Sequence, residues 1–151
     1  MSNLTTNKAR YTLLKEFYEG NTFKVMLVSD SHTNDNAHDF VDDVSANEVT
    51  EAAVDGAYAR VEITGITVSE NDAGDKPKVT ADSVTFLNLN TTESIGAIIV
   101  YRENNDDTDS VIVNEVDTLI PAGSSSNILP KATDGTDLQL TIAQLLGLTD
   151  A

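Results

Sequence analysis

The fold open to this chain is set first by its punctuation. Short runs rich in Val, Ile and Thr are cut by Asn/Asp/Gly/Ser clusters at intervals of about 8–14 residues. Residues 21–30 set the pattern: Phe23, Val25 and Leu27 alternate with Lys24, Met26 and Val28, so both faces carry apolar side chains and the strand should be covered on both sides. Residues 58–68 read as one long strand whose apolar parity shifts at Gly65, the signature of a bulge or corner. Residues 78–89 read as a strand pair or one bent strand, 94–101 as the most apolar and central strand, 110–120 and 137–142 as further strands. Polar connections fall at 31–39, 69–77, 103–109 and 123–127. A helix is expected over 8–19, where Tyr11, Leu14 and Tyr18 share a face thickened by Phe17 and Gly20 provides the stop. Helical turns are expected within 40–54, one of them begun by Phe40, Val41 and Val44.

This spacing suits antiparallel pairing and not βαβ units, which predicts a mainly β protein: an antiparallel sandwich or barrel-like domain with a short N-terminal helix. The expected organisation is a flexible arm at 1–10, a single β-rich domain at 11–142 and a C-terminal tail at 143–151, in which Leu145, Leu146 and Leu148 stand out. Polar residues 1–8, the loop at 123–127 and the Leu-rich tail are candidates to order against neighbouring subunits, with a homo-oligomer as the expected state; against this stand core packing for the tail and plain disorder for the other two.

Charge narrows the partners. Asp and Glu outnumber Lys and Arg by 25 to 9, for a formal net charge of −16. Binding to a phosphate backbone requires a basic patch, so nucleic acid is not an expected partner. The acidity suits solubility first, then a medium of high ionic strength, then a basic or cation-rich partner. The longest apolar run, 97–101, is far short of a membrane span. The polar first ten residues, with no apolar stretch behind them, are unlike a signal peptide, so a soluble protein made in the cytoplasm is expected. The absence of Cys removes disulfide, thiolate and Cys-based zinc chemistry.

Three groups of residues could carry chemistry. The first is the 30–39 stretch, where His32, His38, Asp30, Asp35 and Asp39 offer metal ligands, although the spacing of the two histidines matches neither a helical pair nor a zinc finger. Against it stands a plain polar connection whose Asx side chains cap turns. The second comprises two acidic loops, 70–75 and 103–109, with Asp106, Asp107 and Asp109 as candidate calcium ligands. The second loop lacks the central Gly and closing Glu of an EF-hand loop, so a solvated hairpin tip is the stronger reading. The third is Ser29, Ser31 or Ser94 as nucleophile with His32 or His38 as base. No Gly-x-Ser-x-Gly elbow or phosphate-cradling loop accompanies them, so neither catalysis nor a cofactor is expected.

A resemblance sharpens this. Along the chain come Lys24-Val25-Met26-Leu27-Val28, then His38-Asp39-Phe40-Val41-Asp42-Asp43-Val44, then Ala57-Tyr58 ahead of a strand. Ala81-Asp82-Ser83-Val84-Thr85-Phe86 and Ala97-Ile98-Ile99-Val100-Tyr101-Arg102 follow. This order, over about residues 11–117, resembles a family of small structural proteins of tailed bacteriophages, of the capsid-decoration or head-associated type. Phe86 stands where that family has Trp, and residues 118–151 correspond to nothing in it. The resemblance implies a virion component, present in many symmetric copies and devoid of catalysis, that cements the shell through contacts with the major capsid protein or other virion proteins. A tail, neck or fibre-attachment part of the virion is the next expectation, and a small calcium-dependent binding module the third.

Overall fold

The computed structural model describes residues 6–50, 58–70, 77–82, 86–90, 94–120 and 125–128. Helix α1 (Asn7–Tyr18) starts where Thr6 Oγ1 accepts a hydrogen bond from Ala9 N at 3.2 Å. It therefore takes in residues 7–10, which the expected arm had included. Gly20, at φ 76°, turns the chain out of the helix, and Asn21 Nδ2 donates to the free carbonyl of Phe17 at 3.0 Å. Leu14 and Tyr18 are buried, and the Tyr18 ring stacks on Phe23 at 5.0 Å between centroids.

Phe23 opens β1 (Phe23–Ser29), which lies inside an antiparallel four-stranded sheet of order β2-β1-β6-β7. Its other members are β2 (Val61–Ile63), β6 (Ile95–Arg102) and β7 (Val111–Ile120). The alternation in β1 resolves into two cores, one on each face. On one side Phe23, Val25, Leu27, Ile98 and Val100 pack with Leu14 and Tyr18 of α1 and with Val49, Ile63, Val68 and Val79. On the other, Met26, Val28, Ala97, Ile99 and Tyr101 are covered by Val41 and Val44. Val41 opens the first of two successive 3₁₀ turns, Val41–Asp43 and Ser45–Asn47, and Val44 is the residue that joins them.

The 58–68 segment is not one strand. Gly65, at φ 67°, is the corner between β2 and β3 (Thr67–Ser69), which belongs to a separate two-stranded ladder with β4 (Lys78–Thr80). The corner is held by Asp82, whose N–H donates to Thr64 O at 2.8 Å. Likewise β4 and β5 (Phe86–Asn90) do not pair with each other: β5 joins β8 (Ser125–Ile128) in a third ladder. Residues 125–127, expected as loop, are thus strand, because backbone pairing with β5 outweighs the turn preference of Ser and Asn. The 137–142 strand and the 143–151 tail lie outside the described residues. The fold class is mainly β, sandwich-like or barrel-like, with one short N-terminal helix. No helix among the described residues is long and apolar enough to cross a membrane.

One feature of this topology places the site. The connection from β1 runs along the outer edge of β7. Val41 N donates to Ser110 O at 3.0 Å, Ile112 N to Asp39 O at 3.0 Å, and Asn34 Nδ2 to Glu115 O at 3.2 Å. An edge that would otherwise offer free amides and carbonyls is covered by the chain's own loop.

Candidate functional site

Edge coverage brings the two histidines of the 30–39 segment onto one carboxylate. Glu115 sits in the middle of β7, between Asn114 and Val116, and its side chain is only 9% exposed. His38 Nδ1 lies 2.7 Å from Glu115 Oε1, and His32 Nε2 lies 3.5 Å from Oε2. The two rings are 5.5 Å apart between centroids. The His32 side chain is 1% exposed and that of His38 22%. Asp35 N also donates to Glu115 Oε2, at 3.0 Å.

The local fold explains the convergence. His32 N donates to Ser29 O and His38 N to Asp35 O, so two tight turns bracket the segment and point both imidazoles at β7. Asn34 anchors the middle, its Nδ2 also donating to Asp117 Oδ1 at 2.9 Å. The hydrogen bonding is nonetheless incomplete. His32 Nε2, though within ion-pair distance of Glu115, lacks hydrogen-bond geometry to it and has no partner among the described residues, and the same holds for Asn34 Oδ1. Of the other acids in the segment, Asp35 accepts from Ala37 N at 2.9 Å in an Asx turn. Asp30 and Asp39 are exposed.

The acidic hairpin between β6 and β7 has a different organisation. Asp106 Oδ1 accepts from the Thr108 hydroxyl at 2.6 Å and the Thr108 amide at 2.8 Å, which hold its carboxyl below the usual range. Asp109 accepts from Asp106 N at 3.0 Å and Asn105 Nδ2 at 2.8 Å. Asp107 turns away and takes a two-point contact from Arg60, at 2.6 and 2.9 Å. Asp106, Asp107 and Asp109 therefore each serve the loop or Arg60. Among the described residues the group able to hold an ion is His32, His38 and Glu115, whose ligand atoms all lie within 4.8 Å of one another. In the other acidic loop, Glu70 pairs with Lys8 at 2.7 Å, and residues 71–75 lie outside the described residues.

Arg60 is the other charged centre. It also bonds both oxygens of Glu48, at 2.8 and 2.7 Å, and reaches Tyr101 Oη at 3.3 Å. Tyr58 Oη donates to Glu48 Oε1 at 2.7 Å and accepts from Leu27 N at 3.1 Å, which ties the cluster to β1. Burial pushes the Tyr58 phenol well above its ordinary value. Of the candidate nucleophiles, the Ser29 and Ser31 hydroxyls bond each other at 2.7 Å, while Ser94 offers its backbone carbonyl to Asp30 N at 3.0 Å.

Glu115, Arg60 and Glu48 were not singled out by the sequence. A glutamate within an otherwise Val/Ile-rich strand, two residues before Asp117, is the one mark Glu115 carries, and its distance of 77 residues from His38 hides the rest. No protein-family model, no curated protein and no solved structure matches this chain.

Proposed function

We propose that the chain is a non-catalytic structural component of a tailed-phage virion, decorating the capsid shell and cementing it by protein–protein contact. The observation that carries this reading is where the family-like segments fall. Residues 24–28 and 97–102 are adjacent strands, β1 and β6, at the centre of the main sheet. Residues 38–44 supply Val41 and Val44, which close the core over one face of those strands. The resemblance thus follows a packed unit and not scattered surface words. Within that unit the Glu48, Asp107 and Glu115 carboxylates are bonded to side chains of the same chain, as suits a part whose work is to be held against a neighbour.

Cement action needs only that opening the shell also breaks the decorator's contacts, and a stable contact of this kind buries on the order of 1,200–2,000 Å². Quantitative mass spectrometry of purified particles, ratioed to the major capsid protein, tests the proposal. A decoration role requires on the order of hundreds of copies, following the shell's symmetry. A dozen or fewer would move the protein to the neck, tail or fibres. Absence from the particle would refute the virion reading.

A further inference from the structure

We propose that His32, His38 and Glu115 bind one divalent transition-metal ion, of which zinc is the best fit, and that the ion fastens the 30–47 connection to the edge of β7. This is independent of the virion reading and stands on the site alone.

The argument begins with the histidine that hydrogen bonding leaves out. A single carboxylate meets His38 and the Asp35 amide, but the buried His32 Nε2 is left without a hydrogen-bond partner. Burying a polar nitrogen unpaired is unfavourable, and native proteins rarely do so without a ligand, water or ion at hand. A metal ion resolves the mismatch because it takes the lone pairs of both imidazoles and a carboxylate oxygen together.

Donor type selects the ion. Two neutral nitrogens and one carboxylate suit zinc and its neighbours, whereas calcium and magnesium require oxygen-rich shells that this site does not offer. Spacing agrees. Two ligands at about 2.1 Å on a tetrahedral ion stand about 3.4 Å apart. The 3.5 Å from His32 Nε2 to Glu115 Oε2 matches, the 2.7 Å from His38 Nδ1 to Oε1 opens by less than an ångström as the ion replaces that hydrogen bond, and the set as a whole, within 4.8 Å, draws in to close on one ion. His38 is the exposed member of the set, so the ion would enter on its side and a water would complete the shell there. The Asp35 amide on Glu115 Oε2 supplies the outer hydrogen bond that orients a ligating carboxylate.

The test uses the untagged full chain stripped with a chelator and titrated with zinc chloride by calorimetry, alongside thermal unfolding. His38→Ala removes the exposed ligand, and Glu115→Gln keeps the buried shape, so neither variant depends on tolerating a hole at His32. The expected result is one zinc per chain, with a melting-temperature rise of roughly 5–10 °C at about a hundred times Kd. Both variants should bind at least about tenfold more weakly. Cobalt(II) should give visible bands that Glu115→Gln shifts or abolishes, a signature that a purely structural ion pair would not produce. The proposal is overturned by an absence of saturable one-to-one binding, by unweakened binding in both variants, or by calcium stabilising the chain as much as zinc does.

Discussion

Arg60 is where this molecule concentrates its charge pairing. One guanidinium gathers Glu48 from the end of the second 3₁₀ turn and Asp107 from the β6–β7 hairpin, each by two points, above the Tyr101 ring at 5.5 Å. Three segments distant in sequence are fixed together by it. The guanidinium also holds the Asp107 carboxyl below the usual carboxylate range, chiefly by hydrogen bonding. Linkage then gives a sign. A carboxyl whose folded value is depressed adds stability that is fully present above its unfolded value, about 3.9, and that is lost as the pH falls through the folded value. Asp107→Asn should therefore cost about 1 kcal/mol at pH 7, a figure kept small because the Asp107 side chain is 37% exposed. The gap to the unsubstituted protein should close as the pH is lowered from about 4 toward 2. Urea unfolding of both proteins across that range measures it. A gap that stays constant would mean the aspartate acts through packing and not through its charge.

Among elements, β6 is paired on both sides, by β1 and by β7, and Gly96 is its tightest point. A Cβ there would stand 2.6 Å from Asp30 Cα and 2.8 Å from Ser29 O, both backbone atoms that cannot swing aside. Gly96→Ala should therefore cost about 3 kcal/mol through forced separation of β1 and β6. Gly20→Ala provides the contrast. Nothing lies within 4 Å of its added Cβ, and its φ of +76° alone should cost about 1 kcal/mol. Denaturant midpoints of the two variants should keep that order, and a reversal would show that the sheet can open at Gly96. These elements were largely legible in the sequence. The helix stripe of Tyr11, Leu14 and Tyr18 and the two-sided apolar alternation of β1 both report burial, and burial is local in its pattern. Partners were not legible. Periodicity cannot say that β4 pairs with β3 while β5 pairs with β8, or that Gly65 separates two sheets where a bulge would have kept one strand. The candidate site divides in the same way. His32 and His38 could be read as possible ligands, but Glu115 joins them only through the loop's register on β7, and register is a long-range property.

At the scale of the whole chain, the balance lies between a few ion pairs and a large unpaired negative charge. Among the described residues, Lys8, Lys15 and Lys24 each meet one glutamate, at 2.7, 3.7 and 2.6 Å. Such exposed pairs contribute little and are weakened by salt. Opposing them is the mutual repulsion of a chain with net charge −16, which acts over the full Debye length. That length shrinks from about 30 Å in 0.01 M salt to about 10 Å in 0.1 M. Over this interval the long-range repulsion is largely removed, while pairs closer than 4 Å, well inside the Debye length, are weakened less. The melting temperature should therefore climb steeply between about 0.01 and 0.1 M sodium chloride and flatten above it. The shape of the curve separates causes: screening saturates once the Debye length falls below the spacing of the charges, whereas solute exclusion continues to act in molar salt. A melting temperature that fell across the low-salt interval would show that the lysine pairs, and not the carboxylate excess, govern this fold's electrostatics.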